Sequence, residues 1–256
     1  MLTTILENKP LGRGNRWLKL QVRGAATLDH EPGTVVGLSF RHGGEVLRHA
    51  YTVSRADREQ RTLEFLYRVI PHGRMTPLLA SLAPGGELLV TGRGGHPIAG
   101  EVDTDPEGIV LVSTGTGIGP LYGFSRSALS RNSGIPITLF AGFREEQDAC
   151  LREELERLSG LHPNFEWHFS LSKPGASWTG LRGRVTESMS GVLGSVRNLH
   201  FHLVGNGNMV VELYEVLMAV GLRDERVTSE IYFNYPERLD ADRIKSLASR
   251  FAAKLR

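Results

Sequence analysis

The chain has 256 residues, 40% hydrophobic and 23% charged, which is ordinary globular usage and excludes a disordered chain, a collagen-like repeat and a coiled coil. At roughly 150 residues per domain the length allows one large domain or two small ones. The single cysteine, Cys150, excludes an internal disulfide and any four-thiolate metal site, and a formal charge of +2 without a dense Lys/Arg run falls short of a nucleic-acid footprint.

At the N-terminus, Met1 to Lys9 carries an early acid, Glu7, and lacks an apolar signal core. No stretch approaches the ~20 apolar residues of a membrane helix. The expectation is a cytoplasmic protein with no membrane association and no targeting segment. Short apolar runs then alternate with Gly/Pro turns at 17–22, 34–40, 63–69 and 87–90, which predicts an antiparallel barrel or sandwich. A helical stretch at 76–82 is closed by Pro84-Gly85-Gly86. The polar, turn-rich segment 101–108 reads as a domain junction. Beyond it, strands at 109–113, 137–142, 165–171 and 200–205 alternate with helices at 121–130, 147–158 and 209–219. Repeated βα units imply a parallel sheet with helices on both faces. The last stretch, 240–256, has apolar Ile244, Leu247, Ala248, Phe251 and Leu255 at helical spacing. The expected domains are therefore 1–100, a β-barrel, and 107–236, an α/β domain, with a helical extension at 237–256.

Four segments carry the chemistry. Ser113-Thr114-Gly115-Thr116-Gly117-Ile118-Gly119-Pro120 follows a strand and opens a helix. Its glycines can turn backbone N–H groups toward an anion such as a pyrophosphate; the plain alternative is an ordinary tight βα turn. Arg48-His49-Ala50-Tyr51-Thr52 ends a barrel strand. Strand geometry puts Ala50 and Thr52 on one face and His49 and Tyr51 on the other. Tyr51 can stack on a flat ring and Thr52 can hydrogen-bond a ring nitrogen; otherwise the segment is a half-buried strand with a basic edge. In Arg68 to Leu79, a turn delivers Arg74 and Thr76 sits at an expected helix N-cap, a second anion site or a simple capped helix. Val204-Gly205-Asn206-Gly207-Asn208-Met209 repeats the strand, Gly turn and helix, and two such turns point to the ligand-binding edge of an open α/β sheet. Cys150 reads as packing, and the nine histidines show no metal-ligand spacing.

In this order the four segments resemble the ferredoxin–NADP reductase family of flavoproteins, bacterial type, over roughly residues 5 to 235. The resemblance implies an FAD-binding barrel followed by an NAD(P)-binding α/β domain. Tyr51 and Thr52 match the family's Arg-x-Tyr-Ser/Thr flavin motif, with Ala50 between motif positions. The motif arginine falls on His49, and Arg48 lies one residue early, so either is a candidate for the flavin-phosphate contact. Tyr67, Val69 and the pyrophosphate turn Gly73-Arg74-Met75-Thr76 complete the implied flavin site. Thr114, Gly115, Thr116, Gly117, Gly119 and Pro120 look like the nicotinamide-side loop. Val204-Gly205 stands for the family's Cys-Gly pair, without the thiol, and Met209 follows it. Arg144, Ser172 and Lys173 are similar to the group that holds an NADP 2′-phosphate, with Lys173 where arginine is more usual; otherwise the two cations are solvated surface charges. Glu230-Ile231-Tyr232 looks like the C-terminal Glu-x-Tyr, so Thr52, Glu230 and Tyr232 are the expected catalytic residues. The implied reaction is hydride transfer between NADPH (NADH possible) and FAD, with single electrons passing to or from a separate acidic carrier, ferredoxin or flavodoxin.

Two other readings stay open: an NADH-dependent reductase component of an oxygenase, and a non-catalytic nucleotide-binding regulatory subunit on the same fold. For the tail, Pro236 keeps Tyr235 extended, as part of an aromatic segment with Tyr232 and Phe233. The helix beyond either docks on the flavin side and orders that segment as a gate, or packs on the α/β domain for stability, or binds a partner.

Overall fold

The computed structural model describes residues 1–102, 106–131, 134–194, 196, 198–233 and 240–252. They fall into two compact units, one formed by Met1–Glu101 with Gly119–Ala128, the other by Val102–Ile118 with the residues from Leu129 onward.

The first unit contains β1 (Leu2–Pro10), β2 (Asn15–Val22), β3 (Val35–His42), β4 (Glu45–Thr52), β5 (Arg55–Asp57), β6 (Thr62–Arg68), helix α1 (Thr76–Ser81), β7 (Glu87–Gly94) and the short α2 (Ile98–Glu101). The strands form one antiparallel half-barrel in the order β4-β3-β7-β1-β2-β6-β5. Alternation drives it: Val36, Leu38 and Phe40 of β3, Leu18 and Leu20 of β2 and Leu63 and Phe65 of β6 fill one core. The β3–β4 hairpin closes through Gly43-Gly44, both at positive φ (+56° and +84°), as a two-residue hairpin turn requires. β1, which no apolar run marks, is nonetheless central, between β7 and β2, and only Ile5 of its large apolar side chains reaches the core. The buried carboxylate of Glu64 is satisfied by Trp17 Nε1 at 2.9 Å and Arg55 at 3.1 Å.

Helix α3 (Ile118–Ser130) starts three residues before the sequence-based start at 121. Its Gly119 and Gly123 permit very close packing inside the first unit: a Cβ at Gly119 would lie 2.5 Å from Ser54 Oγ, and one at Gly123 1.7 Å from the Ser54 carbonyl oxygen.

The second unit holds β8 (Gly108–Thr114), β9 (Ile137–Phe143), α4 (Arg152–Leu161), β10 (Phe165–Leu171), β11 (Leu181–Arg182), α5 (Val185–Ser188), β12 (Leu199–Asn206), α6 (Gly207–Ala219), β13 (Val227–Phe233) and α7 (Ala241–Ala252). The sheet is parallel, ordered β11-β10-β9-β8-β12-β13. β8 lies between β9 and β12, so the chain order reverses there, and the crevice at the carboxyl ends of β8 and β12 is the switch point where such sheets bind ligands. The helix expected at 147–158 is displaced. A 3₁₀ turn spans Glu146–Asp148, Leu151 adopts φ +64°, and the helix proper begins at Arg152 and runs to Leu161.

The C-terminal helix forms as expected. Leu247 and Phe251 are buried in the core of the second unit, with Ile244 and Ala248 packed against it. Arg243 binds Glu212 of α6 and, at 2.8 Å, Glu187 of α5; Thr186 donates to Glu212 at 2.8 Å. The expectation of a helix docked on the flavin side as a gate is therefore corrected: its apolar face is covered by its own α/β unit, because Phe251 needs a core and α6 offers one. Tyr235, Pro236 and Leu255 lie outside the described residues.

Two buried histidines brace this sheet. His200 Nε2 and His202 Nδ1 lie 3.0 and 2.7 Å from the same Thr228 Oγ1. Burial, then the neighbouring His200, pushes His202 down to about 3 from the usual 6.5. Between those values the unfolded chain binds a proton that the folded chain refuses, so this contribution to stability is complete above pH 6.5 and declines as pH falls, by at most about 1.4 kcal/mol per pH unit. Urea unfolding at pH 7.5 and 5.5 should show a steeper acid loss in the native protein than in His202→Gln; equal slopes would refute it.

Candidate functional site

In the second unit the site is built by two turns pressed together. Gly115 sits at φ +57° directly after β8, opening a 3₁₀ turn over Gly115–Gly117. A Cβ at Gly117 would lie 2.6 Å from the Val204 carbonyl oxygen. Gly205 has φ +132°, and its Cβ would lie 2.5 Å from Thr114 Oγ1 and 2.8 Å from the Thr114 carbonyl oxygen. The Asn206 amide donates to Thr114 Oγ1 at 2.9 Å, and the Asn206 side chain caps α6 by accepting from the Asn208 amide at 2.9 Å. The glycines thus do two jobs. Gly115 supplies the left-handed turn at the switch point, whereas Gly117 and Gly119 are required for packing, a role the spacing did not distinguish from ligand approach. Thr114 and Thr116 are half-buried beside the turn, Pro120 is buried in α3, and the Met209 side chain belongs to the core under α6, which leaves only its backbone for a ligand.

Arg144, Ser172 and Lys173 converge at the ends of β9 and β10. The Ser172 amide donates to the Phe143 carbonyl at 3.0 Å and the Lys173 amide to that of Arg144 at 2.8 Å, so the ladder continues one step past the strands. All three are exposed, and neither cation makes an ion pair among the described residues. The loop after Lys173 is held by Arg182, whose guanidinium donates to the carbonyls of Gly175, Ala176 and Trp178 at 3.1, 3.1 and 2.8 Å. Trp178, Trp167 and Phe169 surround Arg152, with its guanidinium carbon 5.3, 5.7 and 5.1 Å from the three ring centroids. Sequence reasoning missed this cage, because its members come from α4, β10 and a loop. Cys150 is packing as expected: burial pushes its thiol up to about 12. Glu230 and Tyr232 lie half-buried on β13, where Glu230 pairs in register with Val204 and Ile231 with Gly205, so both stand beside the second glycine turn.

In the first unit β4 presents two faces. Leu47, His49 and Tyr51 pair with Phe40, Leu38 and Val36, the buried residues of β3, and the His49 and Tyr51 rings meet edge-on at 6.0 Å. The Tyr51 hydroxyl is buried and has no hydrogen-bond partner among the described residues, and burial raises its pKa. Arg48 pairs with Ser39 on the opposite face, with Ala50 and Thr52. An open groove of about 530 Å³ is lined by Arg48 and His49 together with Gly37, Thr91, Gly92 and Arg93. Tyr67 meets the Tyr51 ring edge-on at 6.2 Å, its hydroxyl donates to Asn8 at 2.9 Å, and burial pushes it up to about 12. Val69 is half-buried and its amide donates to the Gly14 carbonyl at 2.7 Å. The expected N-cap is corrected. Met75 holds the cap position with its side chain in the core, and Thr76 is the first helical residue; its hydroxyl accepts the Ile70 amide at 2.8 Å and closes the turn that carries Gly73 and Arg74. Arg74 itself donates to Glu45 at 2.6 Å.

An orphaned phenol, a hydroxyl-bearing strand end and exposed cations around a glycine turn fit a flavin nucleotide in the first unit. A glycine turn at a switch point, with two cations on the adjoining strand ends that make no ion pair among the described residues, fits a nicotinamide dinucleotide in the second. Together they define a two-domain, flavin- and nicotinamide-dependent oxidoreductase. Comparison with known proteins agrees. A family model described as an oxidoreductase FAD-binding domain matches residues 3–97, and one described as an oxidoreductase NAD-binding domain matches residues 111–213. The chain belongs to the ferredoxin–NADP reductase-like family of FAD-dependent oxidoreductases and binds FAD and NAD(P). It is similar to a component of the Na(+)-translocating NADH-quinone reductase of Pseudomonas aeruginosa strain UCBPP-PA14 (27% identity over 198 residues, 72% of this chain and 48% of that protein). It also resembles ferredoxin–NADP reductase B of Sorangium cellulosum (31% over 143 residues, 56% and 57%). The chain thus spans about half the length of these relatives. Among solved structures, the Amycolatopsis cytochrome P450 reductase GcoB aligns with a TM-score of 0.78 at 26% identity, covering 91% of this chain and 68% of that one. The Neisseria gonorrhoeae ferredoxin NADP+ reductase with bound FAD and NADP shares the fold, with a TM-score of 0.79 at 21% identity and coverage of 91% and 98%. Among the described residues no helix is long and apolar enough to cross a membrane, and no cluster of His, Cys, Asp or Glu could hold a metal.

Gly205 is constrained twice, by φ and by space, so Gly205→Ala should lower stability by about 1–3 kcal/mol. Gly160 of α4, around which a Cβ would meet nothing within 4 Å, is the control: Gly160→Ala should be neutral or stabilising by up to ~1 kcal/mol. Thermal unfolding of the two variants checks both signs.

Proposed function

We propose that the chain catalyses hydride transfer between NADPH and FAD and exchanges single electrons with a separate acidic carrier, ferredoxin or flavodoxin. The observation that carries the coenzyme choice is the pairing of Arg144 and Lys173: two exposed cations, one backbone hydrogen bond apart, on adjacent strand ends. A 2′-phosphate carries nearly two negative charges and matches them. FAD, when bound, supplies the chemistry that joins two-electron and one-electron steps. The chain's own residues then bind and orient. His49, Tyr51, Thr52 and the Gly73–Thr76 turn take the flavin side. Gly115 to Gly117, Gly205, Ser172 and the two cations take the coenzyme side, and Glu230 and Tyr232 line the end of the sheet beside Gly205. The proposed domain limits are 1–100 and 107–236, with 237–256 as an extension.

A second reading, an NADH-using reductase component of an oxygenase, is favoured by relatives of that kind. The ferredoxin–NAD(P)(+) reductase component of the Pseudomonas putida naphthalene 1,2-dioxygenase system is 25% identical over 217 residues, 84% of this chain and 64% of that protein.

Two measurements test these roles. Replacing Arg144 and Lys173 together by Ala should remove charge-assisted contacts worth roughly 1.5–3 kcal/mol each from NADPH use and leave NADH use nearly unchanged. Equal loss with both coenzymes, in a dye-reduction assay, would assign the pair to the fold. Thr52→Val preserves shape and deletes the hydroxyl. Anaerobic stopped-flow reduction of the bound flavin by NADPH should slow roughly 10–10³-fold, and an unchanged rate would remove Thr52 from the catalytic set.

A further inference from the structure

We propose that Arg152 is a positioning residue for the coenzyme: through its stack on Trp178 it holds the loop that carries Lys173, and so sets how strongly the chain discriminates a 2′-phosphate from its absence. The proposal rests on the reading of Arg144 and Lys173 as the cations that take that phosphate.

The segment after β10 is a closed loop. At its base the Ser172 and Lys173 amides extend the ladder toward β9, and the Gly183 amide returns to the Leu171 carbonyl at 2.8 Å. Ser170 Oγ donates to the Gly183 carbonyl at 2.8 Å. From Lys173 the loop reads Pro174-Gly175-Ala176-Ser177-Trp178-Thr179-Gly180, small residues around one large side chain. Glycine and small polar residues make such a run pliant, so its placement depends on what holds Trp178. The indole is folded back on its own loop. Its Nε1 donates to the Leu181 carbonyl at 3.0 Å, and a Cβ at Gly180 would lie 2.5 Å from its ring. These contacts, like those of Arg182 to the carbonyls of Gly175, Ala176 and Trp178, lie within residues 175–182. They fix the shape of the loop without tying its tip to the rest of the unit.

Arg152 makes the outward tie. Leu151, at φ +64°, turns the chain just before α4 and puts Arg152 at the first position of that helix. There it meets Trp167 and Phe169, which share one face of β10 with ring centroids 4.8 Å apart. The same guanidinium carbon lies 5.3 Å from the Trp178 ring, so one cation joins the rings of the sheet to the ring of the loop. Arg152 is exposed, and among the described residues no carboxylate pairs with it; the neighbouring Glu154 pairs with Arg157. The rings are therefore its partners, and a flat guanidinium suits them as an ammonium does not. A lesser outward contact is at Gly175, where a Cβ would lie 3.2 Å from Oε1 of the exposed Glu146. With the Arg152 tie broken, the loop stays closed at its base while its tip samples other positions. A ligand that needs the tip in place then binds only that fraction of molecules, and its affinity falls in proportion. Lys173 is the one charged residue between Ser172 and Leu181, so the loss falls on a phosphate.

The test is the binding of 2′-phospho-AMP and of AMP to the full FAD-loaded chain, measured by calorimetric titration. The native protein should prefer 2′-phospho-AMP, and Lys173→Ala should erase most of that preference. Arg152→Gln should weaken 2′-phospho-AMP by roughly three- to tenfold and leave AMP within about twofold. Trp178→Leu should match it, and Trp178→Phe, which keeps a ring face, should lose less. The double variant Arg152→Gln/Trp178→Leu should lose no more than either single change, because both remove one contact. Arg152→Lys keeps the charge without the flat guanidinium and should recover only part of the loss. Unchanged 2′-phospho-AMP binding in Arg152→Gln, an equal loss of both ligands, additive losses in the double variant, or full recovery by Arg152→Lys would each overturn the proposal and leave the phosphate reading standing on Lys173→Ala. A native chain that does not discriminate the two ligands, or Lys173→Ala without effect, would overturn that reading, and this inference with it.

Discussion

The contact on which the nucleotide-binding unit depends is backbone against backbone. The Val204 carbonyl lies where a side chain at 117 would be, and the Thr114 main chain lies where one at 205 would be. With no side chain between them, the ends of β8 and β12 close to hydrogen-bonding distance, and the Asn206 amide reaches Thr114 Oγ1. This sets the width of the crevice at the switch point. It also fixes the start of α6, whose cap is the same Asn206. The glycines are thus primarily a condition for the sheet to form a crevice of this width, and ligand approach follows from that geometry.

Strand β4 applies a different constraint, the two-residue period of an extended chain. Moving a cation by one residue, from 49 to 48, moves it to the other face of the strand, although both residues line the same open groove. An element distant in sequence, the 70–76 turn, brings Arg74 to the first residue of the same strand. The same logic explains Met75 and Tyr67. Both fall inside motif-bearing segments, and their side chains complete the core and the Asn8 hydrogen bond.

The C-terminal helix belongs to the α/β unit for a reason of burial. Its apolar stripe ends in Phe251, which is fully enclosed, and Arg243 joins two acids from two other helices. A segment tied in this way adds to the stability of the unit that already holds α6. The buried His200–Thr228–His202 group braces the opposite, amino-terminal half of β12 with polar atoms, at the cost of tolerance to acid.

Much of this was legible in the sequence. The apolar runs at 17–22, 109–113, 137–142 and 165–171, the change from barrel to βα spacing after residue 100, and the glycine turns after β8 and β12 are local signals, because period and turn chemistry act within a few residues. The order of the strands was not, since β1 has no apolar run and gains its central place only by pairing with both β2 and β7. Nor could spacing tell Gly115, which needs its φ, from Gly117 and Gly119, which need space, or show that Leu151 would hold back the start of α4. The cage around Arg152, the face that Arg48 occupies and the meeting of Arg74 with Glu45 each join segments far apart in the chain. Tertiary structure alone decides these, because a side chain's neighbours are set by register and packing between elements, whereas sequence periodicity fixes only the face on which that side chain begins.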